Sequence, residues 1–416
     1  MKGNSGKGKK CCGIILTIFG SIVGAILLFV AILAIINVAF FNQHIDMIKE
    51  ITPCEDPTIK PTLNEETNTW TFVTDEEFKV MQLTDVHIGG GAFSKKQDES
   101  AINAVATMIQ AEKPDLVIVT GDLVFPVPYA AGSLNNLKES EIFATLMEQL
   151  NVYWAIVFGN HDTEVYSYYS REDLSEFYSQ DRWEHCLYLE GDKDVDGYGN
   201  YVINVENTKG MITHSFIMMD SHSYTDGDYF GVAWKYDNIH ENQVEWYKKT
   251  INALNAKNQA AFDNLDLVEK AAYLATIGET QPKVKSSLYI HIPLVEYLDA
   301  WTEYVNNDYK DTENVKKIMG EVGETGKMVY CGVGEDAMFE TMLELDSTKY
   351  VFCGHDHLNN FVLNYKGINL SYGMSIDYLA YFGIDKKTEQ RGCSILTLSK
   401  NGNLDIAHNK LVDYQK

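Results

Sequence analysis

The dominant feature of the hydropathy pattern is the stretch 13–41, which carries no charge and is almost wholly apolar. It exceeds the roughly 20 residues that cross a bilayer as a helix, and also the apolar region of about 7 to 15 residues in a cleaved signal peptide. One transmembrane anchor is therefore expected over 13–41, preceded by a basic tail over 1–12. From Cys54 to Asn68 the composition turns to Pro, Thr, Asn and Glu, with Pro53, Pro57 and Pro61 spaced through it. That reads as a stalk over 42–68 leading from the membrane, with a single domain over 69–416.

Within that domain, apolar runs of strand length alternate with helical periodicity. Residues 70–74 and 78–84 read as strands, the first at a sheet edge. Residues 99–111 and 139–150 have apolar positions at helical spacing, whereas 116–120 and 153–158 are short runs rich in β-branched and aromatic residues, as buried strands are. Asp85, Asp122 and Asn160, each just beyond such a run, recur at intervals of 37 and 38 residues. A βαβ unit has about that length, so the strands before them are expected to be parallel neighbours. Residues 201–205 and 214–219 read as a hairpin, 238–255 as a helix and 287–291 as a strand. The alternating tail after Phe361 reads as antiparallel strands closing a second sheet. The aromatic stretch 166–190 reads as packing, with a substrate wall as the alternative.

Charge changes the picture in two ways. A formal net charge of -25 is opposite to the surface that neutralises nucleic-acid phosphates, so no nucleic-acid polymer is expected as a partner. Lys2, Lys7, Lys9 and Lys10 precede the apolar stretch, and Asp46, Glu50, Glu55 and Asp56 follow it. That lysine bias predicts a single-pass protein with its N-terminus in the cytoplasm and the domain outside it. Cys11 and Cys12 either begin the span or accept palmitate at its edge; the other cysteines form no readable disulfide framework or zinc pattern.

The candidate chemistry follows the strand-like runs. Phe352-Cys-Gly-His-Asp-His357 places His355 and His357 two residues apart, so that leaving a strand they project to one side. Thr84-Asp-Val-His87, Gly121-Asp122, Gly159-Asn-His-Asp162 and His291-Ile-Pro293 follow other such runs. In open α/β sheets the site lies beyond the carboxyl ends of the strands. Carboxylates, an Asn and four His are donors for divalent transition metals in an oxygen and nitrogen site; a single structural zinc needs only four ligands, typically with Cys.

In order and spacing these five motifs resemble those of the calcineurin-like metallophosphoesterases, over residues 79–360, and most nearly the branch related to purple acid phosphatases. The resemblance implies an α/β fold, a two-sheet sandwich flanked by helices. It implies that Asp85, His87, Asp122 and His357 bind one metal and Asp122, Asn160, His291 and His355 the other. The ions would be divalent or trivalent iron, manganese or zinc, holding a hydroxide for in-line attack on a phosphate ester. His161 would face the substrate phosphate, with Asp162 holding its ring. Two departures matter. Phe125 stands where purple acid phosphatases carry the tyrosine that binds iron, and Tyr372-Gly-Met374 lacks the arginine expected after Gly367.

The expected function is hydrolysis of a small phosphate monoester by a membrane-anchored phosphatase. A phosphodiesterase acting on nucleotides or lipid head groups, and a surface binding protein without turnover, are the alternatives. The chain has only three arginines, Arg171, Arg182 and Arg391, too few for a guanidinium clamp on a polyphosphate; Arg391 reads as surface.

Overall fold

A computed structural model describes residues 5–225, 227–278 and 280–416. Lys2, in the expected basic tail, lies outside them. The apolar stretch forms part of one uninterrupted helix, α1 (Ser5–Lys49), long and apolar enough to cross a membrane. There follow β1 (Thr62–Asn64), β2 (Thr69–Val73), β3 (Phe78–Leu83), α2 (Lys95–Glu112), β4 (Leu116–Thr120), α3 (Asn136–Leu150), β5 (Trp154–Val157) and α4 (Arg171–Tyr178). The second half contains β6 (Tyr201–Glu206), β7 (Ile212–Met218), α5 (Glu241–Asp263), α6 (Leu267–Ile277), β8 (Ser286–Tyr289), α7 (Val295–Asn306), β9 (Val315–Met319) and α8 (Met338–Leu345). It ends with β10 (Thr348–Cys353), β11 (Val362–Tyr365), β12 (Ile368–Tyr372), β13 (Gly392–Leu398), β14 (Leu404–Lys410) and the short α9 (Leu411–Tyr414).

The strands form two stacked sheets. The smaller has the order β14-β13-β3-β4-β5, and the larger β1-β2-β6-β7-β8-β10-β12-β11-β9. β3, β4 and β5 are parallel neighbours, as the motif spacing predicted. Strand alternation builds the layers. On β7, β8 and β10, Phe216, Tyr289 and Phe352 join the core shared with the smaller sheet. Their neighbours Ile217, Leu288 and Val351 face the other way, into a second core with α5, α7 and α8. Phe78 reaches across to Phe216, ring centroids 6.3 Å apart.

Three expectations are corrected. The segment read as a stalk lies against the domain: His44 and Ile48 are fully buried, and the Cys54 N–H donates to Leu150 O at 3.1 Å. Proline and threonine signalled an extended chain there, but at its start the Ile51 and Thr52 carbonyls accept from Gln149 on α3 and Gln110 on α2, each at 2.7 Å. β2 is not an edge strand, because it pairs with β6 on one side and with β1 on the other. The tail does not close one sheet: β11 and β12 complete the larger sheet, whereas β13 pairs with β3 in the smaller one.

Candidate metal centre

The proposed ligands converge where β3, β4, β5, β8 and β10 end. Asp85, Asp122, Asn160 and His291 are fully buried, and His87, His355 and His357 nearly so. Asp85, His87, Asp122 and His355 have φ of 51°, 53°, 50° and 77°, a region that costs non-glycine residues about 1–3 kcal/mol each. Backbone bonds past the strand ends hold the turns, from Asp85 N–H to Gly121 O and from His87 N–H to Asp122 O, both 3.1 Å. Close approach dictates two glycines. A Cβ on Gly121 would enter the His291 ring, and one on Gly354 would strike Thr84 Oγ1.

Two groups form, Asp85-His87-Asp122-His357 and Asp122-His291-His355, sharing Asp122. In the first, His87 Nε2 is 3.2 Å from His357 Nε2, and His357 Nε2 is 3.5 Å from Asp85 Oδ1. In the second, His291 Nε2 is 3.1 Å from Asn160 Oδ1 and 3.2 Å from Asp122 Oδ2.

The outer hydrogen bonds show that cations fit there. His291 Nδ1 donates to Thr120 O and His357 Nδ1 to Asp377 Oδ2, each at 2.8 Å. Both partners only accept, so in the neutral rings each Nε2 keeps its lone pair. Those lone pairs face oxygen acceptors. Asn160 Nδ2 donates to Tyr224 Oη at 3.1 Å, which turns its carbonyl oxygen inward. Asp122 Oδ2 is buried with no hydrogen-bond partner. Acceptors facing acceptors are stable only around positive charge, which metal ions or protons supply. Without a metal the protons stay: burial opposes the charged rings, but facing carboxylates outweigh it. Asp122 and Asp85 lift His291 to about 9, and Asp377 and Asp85 lift His357 to about 10.

The structure reassigns Asp162. Its carboxylate does not hold the His161 ring; it accepts the backbone N–H groups of Asp122, Leu123, Val124 and Gly159 at 2.7–3.1 Å. It thus ties the turn after β4 to the turn after β5. His161 Nδ1 pairs with Glu164 Oε1 at 2.6 Å, and the His161 N–H donates to Asp122 Oδ1 at 2.8 Å.

Arg391 is also corrected, being buried rather than at the surface. Its guanidinium donates to the carbonyls of Asp377, Ile384 and Lys387 and stacks on Tyr378. It therefore holds the loop carrying Asp377. Arg171 braces Gly159 O at 2.7 Å and pairs with Asp220 at 2.5 Å. Glu164, Tyr224 and Asp377 were not read from the sequence. Only Glu164 gave a signal, lying two residues beyond a ligand-type motif.

A cleft of about 600 Å³ opens over the centre. His161, His355 and His357 reach it among aromatic walls that include Phe125, Tyr166 and Trp234. The stretch 166–190 divides accordingly, since Tyr166 lines the cleft while Tyr178, Trp183 and Tyr188 are core. The lining contains Glu164, Glu324 and Asp356 but no Lys or Arg among the described residues.

Residues 78–359 match the family model described as Calcineurin-like phosphoesterase. Among similar proteins, "Probable inactive purple acid phosphatase 29" of Arabidopsis thaliana is 26% identical over 83% of this chain and 86% of its own. "Probable inactive purple acid phosphatase 14" of the same plant is 27% identical over 74% of this chain and 73% of its own. "Phosphatase DCR2" of Saccharomyces cerevisiae is 27% identical over 70% of this chain but 46% of its own. A solved dimetal phosphatase from Danio rerio aligns at a TM-score of 0.47 with 11% identity, covering 80% of this chain and 96% of its own.

Proposed function

The chain belongs to the calcineurin-like phosphoesterase family, and from that premise we propose that it is a membrane-anchored dinuclear-metal phosphatase acting on phosphate monoesters. The observation that carries this reading is the convergence of bare imidazole nitrogens and carboxylate oxygens around shared Asp122. In the proposal Asp85, His87, Asp122 and His357 hold one ion, and Asp122, Asn160, His291 and His355 the other. Bound there, such a pair of ions supplies a nucleophile at neutral pH and neutralises charge on the phosphoryl oxygens.

The chain's own groups do the rest. Thr84 Oγ1 donates to Asp85 Oδ2 at 2.8 Å, which fixes the ligand's rotamer. Glu164 holds the His161 ring at the cleft, where it can meet a phosphoryl oxygen or give a proton to the departing alkoxide. The cleft walls favour one phosphate on an apolar or aromatic alcohol, because among the described residues the lining offers no Lys or Arg to hold a second phosphate. The plant relatives carry "inactive" in their names. The complete donor set here favours turnover over a binding role.

The length of the apolar stretch 13–41 supports an uncleaved anchor, and the lysines ahead of it support a domain outside the cytoplasm. Resistance to an alkaline carbonate wash, and removal of the domain by protease added to intact cells, test that topology. The activity is tested with full-length protein, stripped by chelator and reloaded with manganese, zinc or iron, on a monoester and a diester of one chromophore. Monoester hydrolysis should vanish and return with the metal, and Asp122→Ala should lose metal and activity together. A loaded chain that cleaves neither ester sinks the proposal; a preference for the diester replaces it with a phosphodiesterase.

A further inference from the structure

The membrane helix and the catalytic cleft share one segment of the domain. From Ile15 to Ile32 every residue of α1 is exposed, whereas from Leu33 onward the helix begins to be covered. Residues 13–32 number 20, and 20 residues of α-helix span about 30 Å, the thickness of a bilayer's hydrocarbon core. The headgroup layer adds roughly 5–8 Å on each side. Asn37, five residues further along, is about 7.5 Å beyond the hydrocarbon edge and so within that layer.

At that level α1 grips the domain. Asn37 Nδ2 donates to Gly132 O at 2.8 Å. Gly132 closes a tight coil, with its N–H on Pro128 O at 3.0 Å and the Ala131 N–H on Val127 O at 2.8 Å. Val127 and Tyr129, at the start of that coil, line the cleft with His161 and His355. The surface around the coil is aromatic and exposed: Tyr129 is 83%, Tyr168 66% and Phe93 50% accessible. Tyrosines, with an apolar ring and a polar hydroxyl, populate the headgroup level of membrane proteins, and Phe93 adds an exposed apolar ring beside them. Because α1 is unbroken and buries His44 and Ile48 against the domain, no hinge separates span from cleft.

We infer that the substrate is a phosphomonoester headgroup on a lipid of the leaflet from which α1 emerges, with the 127–134 surface resting on that leaflet. This rests on the phosphatase reading and on the retained anchor. In the reaction, water oxygen bonds to phosphorus as the bond from phosphorus to the lipid oxygen breaks. The lipid alcohol takes up a proton and stays in the bilayer, while inorganic phosphate leaves into solution.

The test uses metal-loaded full-length protein in phosphatidylcholine vesicles containing phosphatidic acid. Glycerol 3-phosphate, the same headgroup without chains, and p-nitrophenyl phosphate serve as soluble esters. Confinement of enzyme and substrate to one surface should favour the lipid over glycerol 3-phosphate by on the order of tenfold or more at equal bulk concentration. Phe93→Asp, a change outside the cleft, should slow lipid turnover several-fold while p-nitrophenyl phosphate turnover stays the same. Equal turnover of lipid and glycerol 3-phosphate, with Phe93→Asp neutral, overturns the inference and leaves the phosphatase reading standing. Failure on every ester removes both.

Discussion

Asp377 Oδ2 accepts the Nδ1 proton of His357 at 2.8 Å, 20 residues along the chain. The other Asp377 oxygen accepts the N–H groups of Leu379 and Ala380 at 2.6 and 2.8 Å, and Arg391 holds the same loop through its carbonyls. The carboxylate therefore sets the tautomer and the direction of a proposed ligand without reaching the centre itself.

Outer partners of this kind typically contribute a factor of about 10 to 100 in metal affinity. Asp377→Ala should weaken binding at the Asp85-His87-His357 position by roughly that factor while the second position stays filled. Titration of stripped protein, with metal content measured after dialysis, reads the result directly. Unchanged affinity at both positions would make Asp377 a loop residue only.

Phe125 stands edge-on to His87 and to His161, ring centroids 4.9 Å from each. A phenyl ring has no atom that ligates iron. Iron-loaded protein should therefore show no intense visible tyrosinate band, and Phe125→Tyr is the variant in which one can appear. An intense band in the unaltered protein would mean that another tyrosine enters the centre.

The parts of this site that the sequence disclosed are those tied to strand ends. A ligand directly after a buried run such as 116–120 inherits its position from the sheet, and the intervals between Asp85, Asp122 and Asn160 carried the parallel order. Asp377 was hidden because it reaches His357 from a loop after β12, where neither periodicity nor spacing constrains a side chain. Arg391 misled for a related reason. A charged residue beside Gly392 in a polar stretch reads as exposed, and only the folded loop supplies the three carbonyls that make its burial affordable. The long apolar helix itself was legible. Its docking on the domain was not, because His44 looks like any polar residue following an apolar run until α2 and α3 cover it.

His214 gives a pH dependence far from the centre. It is fully buried on β7, with Nδ1 on Gly402 O at 3.0 Å and Nε2 on Ser287 Oγ at 2.9 Å, a pattern that suits the neutral ring. Burial above all lowers it to about 4. Below the ordinary value near 6.5 the unfolded chain binds the proton that the folded ring refuses, so stability is complete above about pH 6.5 and falls as the pH drops toward 4. The loss from this residue should reach about 2 kcal/mol by pH 5. His214→Gln removes the titration. The difference in unfolding free energy between the two proteins, followed from pH 7 to pH 5 at fixed metal loading, should narrow by that amount, and a constant difference would refute the assignment.

The role of His161 separates by leaving group. Its ring is a quarter exposed at the cleft, with Nδ1 on Glu164 and its backbone N–H on the shared ligand Asp122. The ring can thus be removed without removing a ligand. General acid catalysis contributes about 10² to 10⁴-fold when the departing group needs a proton. An alkoxide needs one and a nitrophenolate does not. His161→Ala should therefore slow alkyl phosphates by about that factor while aryl phosphates lose far less, with both metals retained on analysis. Glu164→Gln should give a weaker version of the same split, since the ring keeps a partner but loses its carboxylate. Equal losses on the two ester types would assign His161 to charge stabilisation at the phosphoryl oxygens, and no loss on either would make it a buttress for the turn that holds Asn160.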